Sequence, residues 1–201
     1  MDRARTLLFL PGAAGTAAFW RPVADRLPAG WTKTLLNWPG AGDEPHDPRV
    51  RGVEDLVELA AGELDGHTDV VAQSMGGAVA IGMALRYPAR IRRLVLVATS
   101  GGLDVDRPGV TDWRPEYRTR FPRAAAWVWE ERPDYGAAIA TVIAPALLIW
   151  GDADPFSPVT VGRRLAELLP DSALHVVPGG THDLACENAD EVAGLIAAHL
   201  A

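Results

Sequence analysis

The chain carries one cysteine, Cys186, in 201 residues, so no internal disulfide can form. It has no basic surplus. Its 26 acids outweigh 19 bases for a net charge of −7, and phosphate binding needs the opposite balance, so a nucleic-acid partner is not expected. Every base except Lys33 is arginine, a trait of genome composition rather than of function. Long hydrophobic runs are missing too. The longest apolar-plus-glycine run, Met75 to Leu85, has 11 residues, whereas a membrane span needs about 18. Arg3 and Arg5 precede the apolar stretch Leu7–Leu10 as in a leader peptide. Pro11 ends that stretch short of the roughly 7–15 apolar residues a signal peptide requires. The cytoplasm is therefore the expected compartment, with no membrane partner.

What is present is ordinary for a globular chain: 48% apolar and 22% charged residues. Short apolar runs alternate with longer segments of helical spacing. Thr6–Leu10, Thr32–Trp38, Val70–Gln73, Leu94–Ala98, Ala146–Trp150 and Leu174–Val177 read as strands. Phe19–Leu27, Val53–Leu64, Met75–Tyr87, Val159–Leu169 and Asp190–Leu200 read as helices. Strands separated by helices predict parallel strand–helix–strand units, and near-continuous apolar strands predict a sheet covered on both faces. The expected fold is an open, doubly wound, mostly parallel α/β sheet in one domain, residues 1–201. Residues 101–144 break the rhythm with many aromatics and charges and are expected to insert over the strand ends. Arginines between Arg107 and Arg132 in that insertion offer a place for a carboxylate.

Ligands of such sheets sit beyond the carboxyl ends of the strands, so the residues just after each apolar run carry the chemistry. Ser74 follows Val70–Gln73 and precedes an apolar helix, the strand–turn–helix setting of an exposed nucleophile. Small residues at Gly76 and Gly77 suit so tight a turn; a helix-capping serine is the plainer reading. A serine hydroxyl needs a base. Of His46, His67, His175, His182 and His199, only His182 lies on a glycine-rich loop directly after a strand, in Gly179-Gly180-Thr181-His182. An acid must orient that imidazole, and Asp152 and Asp154 both follow Ala146–Trp150. No His/Cys cluster has the spacing of metal ligands, and no cofactor is implied. Cys186, four residues past His182, reads as a small buried hydrophobe or as a thiol near the site.

On these residues the sequence resembles the α/β-hydrolase family over nearly its whole length. Trp150-Gly151-Asp152-Ala153-Asp154-Pro155 looks like the family's acid loop and assigns the acid to Asp154. Gly180-Thr181-His182-Asp183 looks like its histidine loop, and Glu187 matches an acidic position expected to cap the last helix. Leu10-Pro11-Gly12-Ala13-Ala14-Gly15 resembles the family's oxyanion loop, with proline where the family has histidine. The resemblance implies Ser74 as nucleophile, His182 as base, and the backbone N–H groups of Ala13 and Met75 as oxyanion donors. It implies about six strands, the family's leading strands being absent before Thr6, and a short cap. Trp113 and Trp127 are the expected substrate contacts. The expected substrate is a small-molecule acyl ester. A thioester is the nearest rival, and a catalytically inactive binding protein is the non-enzyme alternative.

Overall fold

The computed structural model describes residues 5–104 and 110–201. β1 (Thr6–Leu10) leads through a short helical turn, Ala17–Trp20, into α1 (Arg21–Ala24) and β2 (Thr32–Leu35). α2 (Val53–Gly62), β3 (Thr68–Gln73), α3 (Met75–Arg86) and β4 (Ile91–Val97) follow. Then come α4 (Arg114–Arg120), α5 (Trp127–Glu130) and a turn at Gly136–Thr141. β5 (Ala146–Gly151), α6 (Val159–Leu168), β6 (Ser172–Val177), α7 (Leu184–Glu187) and α8 (Ala189–Leu200) complete the chain. Each strand and the longer helices lie where the hydrophobic pattern puts them. The ends move by a few residues because ladder hydrogen bonds, not apolarity, set a strand's limits: Thr68 and Asp69 join β3 although they are polar.

The six strands are all parallel, in the order β2-β1-β3-β4-β5-β6. Strand pleating sends alternate side chains to opposite faces, and each face has its own core. Leu8, Leu10, Val70, Ala72, Leu94, Leu96, Leu148 and Trp150 pack under α2, α3 and α6. Leu7, Phe9, Val71, Val95, Val97, Leu147 and Ile149 pack with Trp20 and Val23 on one side and α7 and α8 on the other. Both faces are thus buried, which accounts for the near-continuous apolar strands.

From β1 the chain first steps outward to β2, then crosses back to lay β3 on the other side of β1. The strand order therefore reverses between β1 and β3, the topological switch point where open α/β sheets bind ligands. The registers Leu10↔Ala72, Gln73↔Val97, Val97↔Ile149 and Gly151↔Val177 bring the carboxyl ends of five strands to one edge. The loops carrying Ala13, Ser74, Asp154 and His182 all leave from that edge.

Between β4 and β5 no strand occurs among the described residues, as the sequence predicts. Tyr117 is the centre of an aromatic group there. Its ring lies 5.3 Å from Trp113, 5.0 Å from Phe121 and 6.2 Å from Trp129. Residues 105–109 of the expected insertion, with Arg107 at the start of the arginine group, lie outside the described residues.

Candidate active site

Ser74 links β3 to α3 with φ 52° and ψ −122°, a left-handed conformation that costs a residue with a Cβ about 1–3 kcal/mol. Strain of that kind persists only where surroundings over-determine it. The Ser74 N–H extends the ladder to the Val97 carbonyl at 3.0 Å, and its own carbonyl accepts from the Thr99 hydroxyl and from the Gly77 N–H. The glycines after the serine answer a steric demand. A Cβ on Gly76 would lie 2.5 Å from the Pro11 carbonyl oxygen, and one on Gly77 would lie 2.2 Å from Thr99 Oγ1. α3 can begin this close to β1 and β4 only without those side chains.

His182 Nε2 lies 3.0 Å from Ser74 Oγ, and His182 Nδ1 lies 2.8 Å from Asp154 Oδ2. With the ring proton on Nδ1, the imidazole donates to Asp154 and presents a lone pair to the serine hydroxyl. The Asp154 side chain is fully buried. Its Oδ1 accepts the Phe156 and Ser157 N–H groups at 2.8 and 3.0 Å, so every contact it makes suits a carboxylate. Asp152 takes a different part: its exposed carboxylate accepts the Gly179 N–H at 2.6 Å and ties the acid loop to the histidine loop. Phe156 stands edge-on to the His182 ring at 5.3 Å. Gln73 donates to the His182 carbonyl at 3.3 Å.

Buried polar groups that the sequence does not single out connect the loops. Trp150 Nε1 donates to Ser157 Oγ at 3.1 Å, Ser157 Oγ to the Thr99 carbonyl at 3.2 Å, and Thr99 Oγ1 to the Ser74 carbonyl. The acid loop thus reaches the serine turn without passing through the histidine. Trp20 Nε1 donates to the Leu10 carbonyl at 2.9 Å and Trp38 Nε1 to the Pro11 carbonyl at 2.7 Å. These indoles fix the start of the loop in which proline stands where the resemblance expects histidine.

A cavity of about 410 Å³ opens onto Ser74, His182, Ala13 and Met75. Trp113 lines it, together with Phe121, Val128 and Phe156. Trp127 does not. It is buried in the core beside Val128, because the single turn of α5 sends the two residues to different surroundings. The expectation of a substrate contact there is corrected accordingly. Among the described residues the cavity wall carries three arginines, Arg114, Arg120 and Arg132, and four carboxylates, Asp104, Glu116, Glu131 and Asp183. Among the described residues no group of three or more His, Cys, Asp or Glu side chains is placed to hold a metal ion. None of their helices is long and apolar enough to cross a membrane.

His46, His67, His175 and His199 are not among the residues that line the cavity. His46 contacts the Arg123 carbonyl at 2.7 Å and His175 contacts Glu191 at 3.2 Å. Glu187 ends α7 instead of capping α8, and accepts from Thr181 Oγ1 at 2.7 Å, bracing the residue before His182. Cys186 donates its thiol to the Phe19 carbonyl at 2.9 Å. Burial, then the charges of Asp183 and Glu187, push its pKa up from the ordinary value, leaving little thiolate at neutral pH. Iodoacetamide at pH 7.5 is expected to alkylate Cys186 at least about tenfold more slowly in the native chain than in the denatured one. Fast stoichiometric labelling of the native chain would contradict this.

An all-parallel, doubly wound sheet that carries a serine, an imidazole and a buried carboxylate in hydrogen-bonded series beyond the carboxyl ends of β3, β6 and β5 has the arrangement of an α/β enzyme of the hydrolase class. The chain belongs to the alpha/beta hydrolase family, whose model matches residues 7–195, and it is a hydrolase. It is 30% identical to a 2-hydroxy-6-oxononadienedioate/2-hydroxy-6-oxononatrienedioate hydrolase of Burkholderia vietnamiensis, over 83% of this chain and 75% of that one. It is 29% identical to the pimeloyl-[acyl-carrier protein] methyl ester esterase of Neisseria meningitidis, over 94% of this chain and 56% of that one. A meta-cleavage product hydrolase from Pseudomonas fluorescens shares the fold with a TM-score of 0.80 at 19% identity, covering 98% of this chain and 91% of that one.

Proposed function

We propose that the protein is a serine hydrolase that cleaves carboxylic esters of small or medium acyl groups through an acyl-serine intermediate. The observation that carries this reading is the unbroken series Ser74–His182–Asp154, at 3.0 and 2.8 Å, facing the cavity. His182 takes the Ser74 proton as Oγ attacks the acyl carbonyl. Asp154 holds the imidazole in its productive tautomer and stabilises the cation that forms. The N–H groups of Ala13 and Met75 stabilise the oxyanion; each such donor contributes about 100–1,000-fold to turnover. His182 then protonates the leaving alcohol or thiol and activates the water that hydrolyses the acyl-serine. In this reading the chain is one domain, residues 101–144 are a short cap, and Trp113 and Phe121 contact the acyl group.

The size and lining of the cavity support a compact, uncharged acyl group. At about 410 Å³ it lies toward the small end of ligand pockets. A second reading, hydrolysis of a carbon–carbon bond, is favoured by the names of several relatives. Those names describe doubly acidic substrates, and among the described residues the cavity wall carries four carboxylates against three arginines, which supports a neutral ester over a dianion.

The test is steady-state hydrolysis of p-nitrophenyl esters of increasing acyl length, beside an acyl thioester and a vinylogous diketone acid. The ester reading expects kcat/KM to peak at short or medium acyl length and to exceed that of the other two substrates. A higher kcat/KM for the diketone acid would replace it with the carbon–carbon reading, and a higher value for the thioester would make the leaving group a thiol.

A further inference from the structure

Tyr117 projects from α4 across the cavity roof to the loop that follows β1. Its hydroxyl donates to the Ala13 carbonyl at 2.7 Å and accepts the Gly42 N–H at 2.7 Å. The residue is 7% exposed, and burial raises its pKa above the ordinary tyrosine value, so the hydroxyl keeps its proton at neutral pH. The bond falls on the residue whose N–H is assigned to the oxyanion. That N–H belongs to the peptide unit whose carbonyl is Gly12 O, and Gly12 O accepts the Gly15 N–H at 3.0 Å. In a planar trans peptide the N–H points opposite to the carbonyl, so the Gly12–Gly15 turn sets one flank of Ala13. That turn encloses the next unit, Ala13–Ala14, but leaves its peptide plane able to flip, as types I and II of such a turn do. Tyr117 holds it by the Ala13 carbonyl.

We infer that Tyr117 is a positioning residue for the oxyanion hole, acting from the segment between β4 and β5. The inference rests on the assignment of the Ala13 N–H as an oxyanion donor. Its hydroxyl ties the loop after β1, at Ala13, to the loop after β2, at Gly42, while its ring packs against Trp113 and Phe121 on the cavity wall. The residues proposed to touch the acyl group are thereby joined through one side chain to the loop that stabilises the developing charge. Pre-set donors are effective because they need no reorganisation as charge forms, so loosening one lowers turnover more than binding.

The experiment compares Tyr117→Phe with the parent, with kcat normalised to active sites titrated by a fluorophosphonate. The phenyl ring keeps the aromatic packing and removes both hydrogen bonds. We expect kcat to fall about tenfold or more, a part of what losing a donor outright costs, with KM changed less than about twofold. Affinity for a trifluoromethyl ketone, which forms a charged tetrahedral adduct, is expected to fall in proportion to kcat. Ile196→Val, in the core on the opposite face, serves as a control that lowers Tm without touching the loop, and its kcat should hold. 3-Fluorotyrosine at position 117 retains ring and hydroxyl, and is expected to keep kcat within about twofold of the parent. Because it keeps both hydrogen bonds, a loss of about tenfold or more there would overturn the inference even if Tyr117→Phe does not fold. Unchanged kcat in Tyr117→Phe, or a loss with 3-fluorotyrosine as large as with phenylalanine, would overturn the inference. Activity that survives Ser74→Ala would instead overturn the catalytic reading on which it rests.

Discussion

Asp154→Asn is expected to lower kcat by about 10⁴-fold while the chain stays folded. The reasoning follows the hydrogen bonds. An asparagine amide oxygen in place of Oδ1 still accepts the Phe156 and Ser157 N–H groups, so the loop keeps its shape. The amide NH₂ then faces His182 Nδ1, where Oδ2 was. It is a donor, so Nδ1 must accept and the ring proton moves to Nε2. Nε2 then points a proton at Ser74 Oγ and cannot take one. Binding is expected to survive, so KM should change little. Asp152→Asn retains an acceptor for the Gly179 N–H and should leave kcat within about threefold of the parent. Steady-state kinetics of the two variants checks both expectations. A large loss in Asp152→Asn with Asp154→Asn unaffected would move the acid to Asp152.

Ser74→Ala is expected to have the largest effect, a loss of about 10⁶-fold in kcat. Among the described residues Ser74 is the hydroxyl that meets His182 Nε2, whereas Ser157 is committed to Trp150 and the Thr99 carbonyl, and Thr99 to the Ser74 carbonyl. The proposed mechanism has Ser74 and His182 act as a unit, so a Ser74→Ala/His182→Ala double variant should be hardly slower than Ser74→Ala alone. Stability should not follow activity. Alanine carries the same Cβ at φ 52°, and the only side-chain hydrogen bond removed is the one to His182. A Tm within a few degrees of the parent, measured with turnover near the uncatalysed rate, would fit. Additive losses in the double variant would contradict a concerted serine and histidine.

Much of this site is legible in the sequence because the fold projects it onto strand ends. Ser74, Asp154 and His182 each follow an apolar run, and parallel registers carry those runs to one edge. Asp154 and Asp152 are harder to tell apart, being two residues apart on one loop. What separates them is the two N–H groups of the following turn and complete burial of one side chain. The supporting residues are not legible. Thr99 reaches Ser74 across 25 positions, Ser157 reaches Thr99 across 58, and Tyr117 reaches Ala13 across 104. Nothing local in the chain marks such pairs, and a threonine after an apolar strand reads as an ordinary turn residue. Trp113 and Trp127 show the same limit. Both belong to an aromatic-rich stretch, yet the short helices there have too few turns for a period to tell which ring meets the cavity and which the core.

The central claim is that Ser74 is an activated nucleophile. The most direct measurement is mass spectrometry of the intact, folded chain after treatment with a fluorophosphonate, followed by mapping of the modified peptide. The account predicts one adduct per chain, on Ser74, formed fast in the parent and slowly in Asp154→Asn. A folded chain that takes no adduct, or takes it on another residue, would contradict it.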